Sequence, residues 1–458
     1  MFAYMKQKPG FYRQVTGLAA PIVLQNLITS ALGMADTFMV GMLGVVPMAA
    51  LTLANIPLFA VQMFIFGVQS GASVLFSQYW GKQDMEAIGR VLGVALWVVL
   101  LVSSLFAAVL LICPVAFLSL FGNEPEVIRL AARYGSIAGL SYVCNAFTMM
   151  YVAAYRSMER PQLGLYILVT SMAVNTFLNW VFIFGNLGVR PMGVRGAAVA
   201  TLTARLLEVA IVAVHMARSR FFRVELRLLF RPGAEMARRF LRYGGLVVCN
   251  ETMWGVGTSI FPTIMGHMAG STDILAAYTI AGNVEKIVMV ISFGLSSTAA
   301  IVIGREIGAG RSDRVLDVGK ALNALAAVGG LVLGAVLLLF VWTAAPAWVY
   351  PLFELSPGAA SVASMMMVVM ALGMPLKDFN TVNIVGVLRG GGDVRAATLI
   401  DIGPLWLAAI PYAALCGLVL KTSVFWVYLA FPLEQAVKSF AGVWRLRSGR
   451  WVRDLTRA

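Results

Sequence analysis

The chain has 458 residues, of which 60% are hydrophobic and 12% charged, and its 35 Lys and Arg against 21 Asp and Glu give a net charge of +14. A soluble domain carries about 25% charged residues and under about 50% apolar ones, so water cannot be the main solvent and a soluble enzyme is excluded. The basic excess lies in short segments between apolar runs, which is a topology signal rather than a nucleic-acid footprint, and no nucleic-acid partner is expected.

The basic start, MFAYMKQKPGFYRQ, leads into an apolar stretch too long for a cleavable leader and reads as the first spanning helix. Runs of roughly 20 apolar residues suit a hydrocarbon core of about 30 Å. The first six fall at about 15–43, 48–79, 88–113, 128–154, 162–185 and 194–217, and the second six at about 240–268, 274–304, 315–344, 362–388, 396–419 and 422–444. Cys113, Cys144, Cys249 and Cys416 lie inside these runs without any Cys-x-x-Cys or Cys/His spacing and read as core filler. His215 and His267 fall near opposite span ends, too far apart in depth to form one metal site.

Of the 35 Lys and Arg, 26 lie in the two tails and the even-numbered connections, five (Arg129, Arg133, Arg190, Arg195 and Lys421) lie on the other side, and four lie within spans. Basic residues are retained on the cytoplasmic side, so both termini are expected there, in a bacterial cytoplasmic (plasma) membrane.

SQYWGKQDMEAIGRV from Ser77 sets Gly81 and Glu86 on Gly308 and Asp313 of GREIGAGRSDRVLDV, while Tyr155-Arg156-Ser157 sits opposite Leu388-Arg389-Gly390 and Gly41 opposite Gly266. Six helices are thus repeated, and because six is even the pseudo-two-fold axis should run along the membrane normal. The expected fold is all-α: a polytopic membrane protein of about twelve transmembrane helices in two six-helix bundles. An N-lobe covers 1–217, a cytoplasmic linker 218–239 and a C-lobe with a basic tail 240–458. In the linker Arg218, Arg220, Arg223, Arg227 and Arg231 alternate with Phe221, Phe222 and Leu226, as in an amphipathic segment lying on a bilayer surface. A central cleft between two such bundles suits a protein that moves a small solute.

A carboxylate in a spanning helix costs roughly 2.5–3.5 kcal/mol at mid-bilayer and demands a partner, a watery cavity or a function. Asp36, in ALGMADTFMVGMLG, lies about eight residues and so about 12 Å from the outer end of the first span. Asn175 and Asn179 share one face of the fifth span, and Thr201 enters the sixth at a similar depth. Four oxygen-bearing side chains at one depth suit a hard cation or a proton; the alternative is interhelical hydrogen-bonding glue. Pro21 lacks a backbone donor and offers the first span a place to bend.

Together, these features resemble the multidrug and toxic compound extrusion (MATE) family of cation-coupled efflux transporters over nearly the whole chain. The resemblance is carried by Pro21 and Asp36, Asn175-x-x-x-Asn179 before Phe184-Gly185, Gly196-Ala197-Ala198-Val199-Ala200-Thr201, and Leu388-Arg389-Gly390-Gly391-Gly392-Asp393. It implies two lobes forming a V and extrusion driven by inward flow of H⁺ or Na⁺. It also implies an N-lobe cation site of Asp36, Asn175, Asn179 and Thr201, with no resident cofactor and no metal beyond Na⁺ at those four residues. Some members carry Asp where this chain has Asn179, so this site holds one charge fewer.

The second half holds Glu251, Glu285, Lys286, Lys377, Asp378, Glu434 and Lys438 within spans, and Glu251, Glu285 and Asp378 form a second candidate region for cation or substrate. Asp378 matches the placement of a cation-binding acid in related members, whereas Glu251 matches only loosely. Mutual neutralisation is the competing reading, with Glu434 and Lys438 one turn apart and Lys377 within reach of Glu251 or Glu285. Asp401 reads as structural. Gly390-Gly391-Gly392 lacks a following Lys-Ser/Thr and reads as a tight cytoplasmic turn rather than a phosphate cradle. The expected partners are amphipathic, cationic organic molecules and the lipid bilayer, and the chain is expected to act as a monomer. A flippase for a lipid-linked precursor is the alternative, disfavoured because Asp36, Glu251, Glu285, Asp378 and Glu434 outnumber Lys286, Lys377 and Lys438.

The charge asymmetry predicts sidedness. A cysteine placed at Arg223 should stay unlabelled by an impermeant maleimide in intact cells, while one at Lys421 should label; the reverse pattern would invert the topology.

Overall fold

A computed structural model describes residues 9–457, and among these there is no β-strand. Lys6 and Lys8, part of the basic tail tallied above, lie outside the described residues. The long helices follow the expected order. In the first half they are α1 (Pro9–Gly41), α2 (Val45–Gly81), α3 (Met85–Ile112), α4 (Pro125–Ser157), α5 (Gln162–Phe184) and α6 (Val194–Arg218). In the second half they are α7 (Ala234–Gly266), α8 (Ser271–Gly308), α9 (Ser312–Trp342), α10 (Pro357–Leu388), α11 (Val394–Val419) and α12 (Val424–Tyr428 running into Ala430–Arg447).

Ten of these helices are long and apolar enough to cross a membrane. The other two, α7 and α12, carry polar groups in their middles: Asn250 and Glu251 in one, Glu434 and Lys438 in the other, with Asn250, Glu434 and Lys438 all buried. The repeat is visible in the helix ends, since α2 and α8 stop at the paired glycines Gly81 and Gly308 and the next helices begin at Met85 and Ser312. Asp84 caps α3 by accepting from the Ala87 amide at 2.9 Å.

The chain divides into two compact units. One is Leu24–Val248, with a core that includes Leu58, Leu110, Ala131 and Ile183. The other runs from Cys249 to the C-terminus and also takes in α1 up to Val23; its core includes Phe261, Met265, Met366, Met367 and Leu405. The start of α1 packs there through Leu18 and Ile22 against Ile301 and Val302 of α8. Pro21 thus stands two residues before α1 passes from one unit to the other.

Helices in lipid associate by close backbone approach at small residues. Gly330 and Gly334 of α9 form a Gly-x-x-x-Gly pair, and a Cβ added at them would lie 2.7 Å from the Pro375 Cα and 2.5 Å from the Ala371 carbonyl oxygen of α10. The repeat sets Ser103 and Ala107 of α3, both buried, on the same two positions. A short helix, Leu226–Phe230, lies in the 218–239 connection and seats on α3, where Gly93 meets the Leu228 carbonyl and the Trp97 indole donates to the Leu229 carbonyl at 3.0 Å. Leu226 and Phe230 remain exposed, as an amphipathic surface segment requires.

The Gly390-Gly391-Gly392 segment is the tight turn expected, with Gly392 at φ 89°. The C-terminal tail fills it. Trp451 is fully buried where a Cβ on Gly391 would come within 2.3 Å of its ring, the Arg453 amide donates to the Gly391 carbonyl at 2.8 Å, and Asp393 pairs with Arg445 at 2.6 Å and Arg453 at 3.3 Å.

The cysteines correct the expectation of core filler. Only Cys416 is buried, while Cys113 and Cys249 are exposed and Cys144 is half-buried. A lipid-facing surface is as apolar as a core, so an apolar neighbourhood in sequence does not place a residue inside.

Gly334→Val should force α9 and α10 apart at the Ala371 carbonyl. The expected loss is about 1–3 kcal/mol of stability, read as lowered thermal unfolding of the detergent-solubilised protein, with Gly329→Val, where an added Cβ meets nothing, as the neutral control.

Candidate functional site

Three helices of the Leu24–Val248 unit bring the first set of candidate residues together. The Asn179 amide donates to the Asp36 carboxylate at 2.6 Å and to Asn175 Oδ1 at 3.1 Å, and Asn175 donates to Thr201 Oγ1 at 3.3 Å. Thr201 in turn donates to the Ala197 carbonyl at 3.0 Å. Asn175 and Asn179 are one turn apart and both buried, so the set is a continuous polar seam through α1, α5 and α6. Asn179 Oδ1 is buried and has no hydrogen-bond partner. An amide neutralises no charge, so an ionised Asp36 stays uncompensated by its partner, and oxygen groups of this kind are those that a small cation or a proton takes. Between α1 and α5, Ile28, Met39, Met172, Phe177 and Trp180 line an open apolar groove of about 770 Å³.

Two charged residues of α6 extend this seam and were not singled out from the sequence. Arg205 lies one turn beyond Thr201 and pairs with the fully buried Glu208 at 2.7 Å. The only sequence signal is two opposite charges three residues apart in the run TLTARLLEVA from Thr201, which also describes a self-neutralising pair.

At the other end of this unit Arg156 donates to Gln25 Oε1 at 2.7 Å, and Gln25 donates to the Pro161 carbonyl at 2.5 Å. His215 bonds Tyr151 through Nδ1 at 2.9 Å, and His267 bonds the Thr263 carbonyl, so the two histidines serve separate helices.

The second candidate set is spread over three partners in the other unit. Glu251 pairs with the buried Arg389 at 2.7 Å, Glu285 pairs with Lys377, and Asp378 accepts from Ser292 at 2.5 Å. Lys438 is shared between Glu434 and Asp401 at 2.7 Å each, and Asp401 also accepts from Asn250 at 2.9 Å. The pairing of Glu434 with Lys438 is as read from spacing, and of the two partners left open to Lys377 it takes Glu285 rather than Glu251; the bridge from Lys438 to Asp401 joins α12 to α11 and no local spacing announces it. Pro21 lies within α1.

Removing one member of a buried ion pair strands the other, at a cost of about 3–5 kcal/mol. Glu251→Gln should therefore lower thermal stability markedly by taking away the charge that faces Arg389. Glu434→Gln should cost less, because Asp401 still holds Lys438; equal losses would contradict the shared geometry.

The sequence matches the MatE family over residues 21–181 and 245–415. "Probable multidrug resistance protein NorM" of Rhizobium meliloti is 29% identical over 308 residues, 66% of this chain and 64% of that protein, so the chain spans just under two thirds of that relative. "Probable multidrug resistance protein YoeA" of Bacillus subtilis is 24% identical over 440 residues, 94% of this chain and 92% of that one. Among solved structures, a MOP superfamily transporter from Pyrococcus furiosus superposes with a TM-score of 0.85 at 19% identity, covering 98% of both chains. A Vibrio cholerae MATE transporter does so with a TM-score of 0.83 at 16% identity, covering 97% of this chain and 98% of that one. With twelve long helices in the expected order and the family's sequence pattern in both halves, the chain belongs to the MatE family and is a membrane transporter, not an enzyme.

Proposed function

We propose that the protein is a multidrug exporter that moves amphipathic, cationic organic molecules out of the cell in exchange for H⁺ or Na⁺, with Asp36, Asn175, Asn179 and Thr201 holding the coupling ion. One observation carries this reading: the Asp36 carboxylate is met by an amide rather than a cation, beside a buried oxygen with no partner. A site left anionic inside hydrocarbon gains by taking up a positive ion. The names of the relatives, multidrug resistance proteins, support the choice of substrate class, and Met39, Met172, Phe177 and Trp180 supply an adaptable apolar surface beside the helices that bear the site.

The cycle follows from differential occupancy. An ion drives a conformational change only if it binds one state better than the other, and each charge crossing 100 mV supplies about 2.3 kcal/mol. Asp36 sits on the same helix as Pro21, whose missing amide hydrogen bond lets α1 change its bend at small cost. Loading of Asp36 from the outside would favour the bent or the straight form, and release inside would return it. On this reading Glu251 and Asp378 tune substrate binding.

The test is transport in proteoliposomes with imposed Na⁺ or H⁺ gradients and a panel of organic cations. Asp36→Asn should reduce gradient-driven flux by at least about 100-fold, a loss of about 2.7 kcal/mol in coupling, while equilibrium drug binding persists. Near-normal driven flux by this variant would remove Asp36 from the mechanism.

A further inference from the structure

Beneath the proposed ion site lies a charge pair that the transport cycle described above does not use. Thr201, Arg205 and Glu208 fall at i, i+4 and i+7 of α6 and so share one face of that helix. Thr201 belongs to the seam that reaches Asp36 through Asn175 and Asn179. Arg205 begins about 6 Å further along the axis, is largely buried, and turns its guanidinium to Glu208 at 2.7 Å. Glu208 is wholly buried, engages Arg205 through Oε1 only, and leaves Oε2 with no partner.

One guanidinium thus stands a helical turn from the seam that carries Asp36. Glu208 holds it; Asp36 is met by an amide. Asp36, Arg205 and Glu208 together carry a net charge of minus one when all are ionised, which one monovalent cation or one proton at Asp36 would cancel. Should the guanidinium swing one turn toward Asp36, it would fill the same electrostatic role from within the protein, and an incoming ion would have to displace it.

We propose that Glu208 is a positioning residue that withholds Arg205 from Asp36, so that the negative charge of the site is left for the coupling ion. This inference rests on the assignment of Asp36 as the ion-binding carboxylate. It makes Arg205 a tethered competitor of the transported cation, and it makes the strength of the Arg205 to Glu208 pair a determinant of ion affinity.

The experiment measures the half-saturating concentration of the coupling ion for drug flux in proteoliposomes, together with thermal unfolding. Glu208→Gln releases Arg205 and should raise that concentration by at least about tenfold, the scale expected when a close charge pair is rearranged. Arg205→Gln with Glu208→Gln removes both charges, leaves the site at minus one, and should return the value to within about threefold of the unmodified protein. A structural role alone would lower thermal stability in Glu208→Gln without this rescue of ion dependence. Wild-type ion dependence in Glu208→Gln overturns the proposal, as does a double variant no better than the single one. Should Glu208→Gln fail to accumulate, the double variant decides, near-normal ion dependence supporting the proposal and its loss overturning it. The outcome is separable from that for Asp36: if Asp36→Asn keeps driven flux, the site assignment itself has failed, whatever Glu208→Gln does.

Discussion

A charge inside hydrocarbon must be answered by something, and that requirement arranges the interior of this protein. The cost of roughly 2.5–3.5 kcal/mol per central charge is met by pairing: Arg205 with Glu208, Glu251 with Arg389, Glu285 with Lys377, and Lys438 with both Asp401 and Glu434. Two carboxylates instead take a neutral donor as their hydrogen-bond partner, Asp36 the Asn179 amide and Asp378 the Ser292 hydroxyl. One lies in each compact unit. The pairs are the settled part of the electrostatics, and these two acids are where an ion from outside has most to gain.

The two halves share a joint whose charge differs. Arg156 and Arg389 stand at equivalent places, and each reaches back to the first helix of its half, Arg156 to Gln25 and Arg389 to Glu251. The alignment that sets Gly41 on Gly266 sets Gln25 on Asn250, the neighbour of Glu251. The same mechanical link is therefore a charge-assisted hydrogen bond in one half and a full ion pair in the other. Glu251 supplies the charge of this joint.

Much of this was legible in the chain. Periodic apolar runs and the lopsided basic residues located the spans, and the isolation of Asp36, Asn175, Asn179 and Thr201 in apolar sequence marked them as a set before their hydrogen bonds were known. Contacts between distant helices were not legible: Lys438 is four residues from Glu434, which spacing reveals, and 37 from Asp401, which it does not. Arg205 and Glu208 escaped notice because a pair that can neutralise itself looks inert until the burial of Glu208 and its spare oxygen are seen. Helix register was hidden as well. The π-helical turns at Thr381–Leu388, Leu405–Ala409 and Leu415–Val419 rotate the side chains beyond them, and no residue pattern foretold them, although Pro404 directly precedes the second.

The glycine triplet and the tail that fills it bind the history of the two ends of the second half together. Trp451 occupies space that only a glycine at 391 leaves open, and Asp393 is held by Arg445 and Arg453. The equivalent positions of the first half, Ser157-Met158-Glu159, carry side chains where the second half has three glycines. Substitutions at 391 and 451 can be inherited only as a matched set, so a chimera that exchanged tails between related transporters would inherit the lock of one parent and the key of the other.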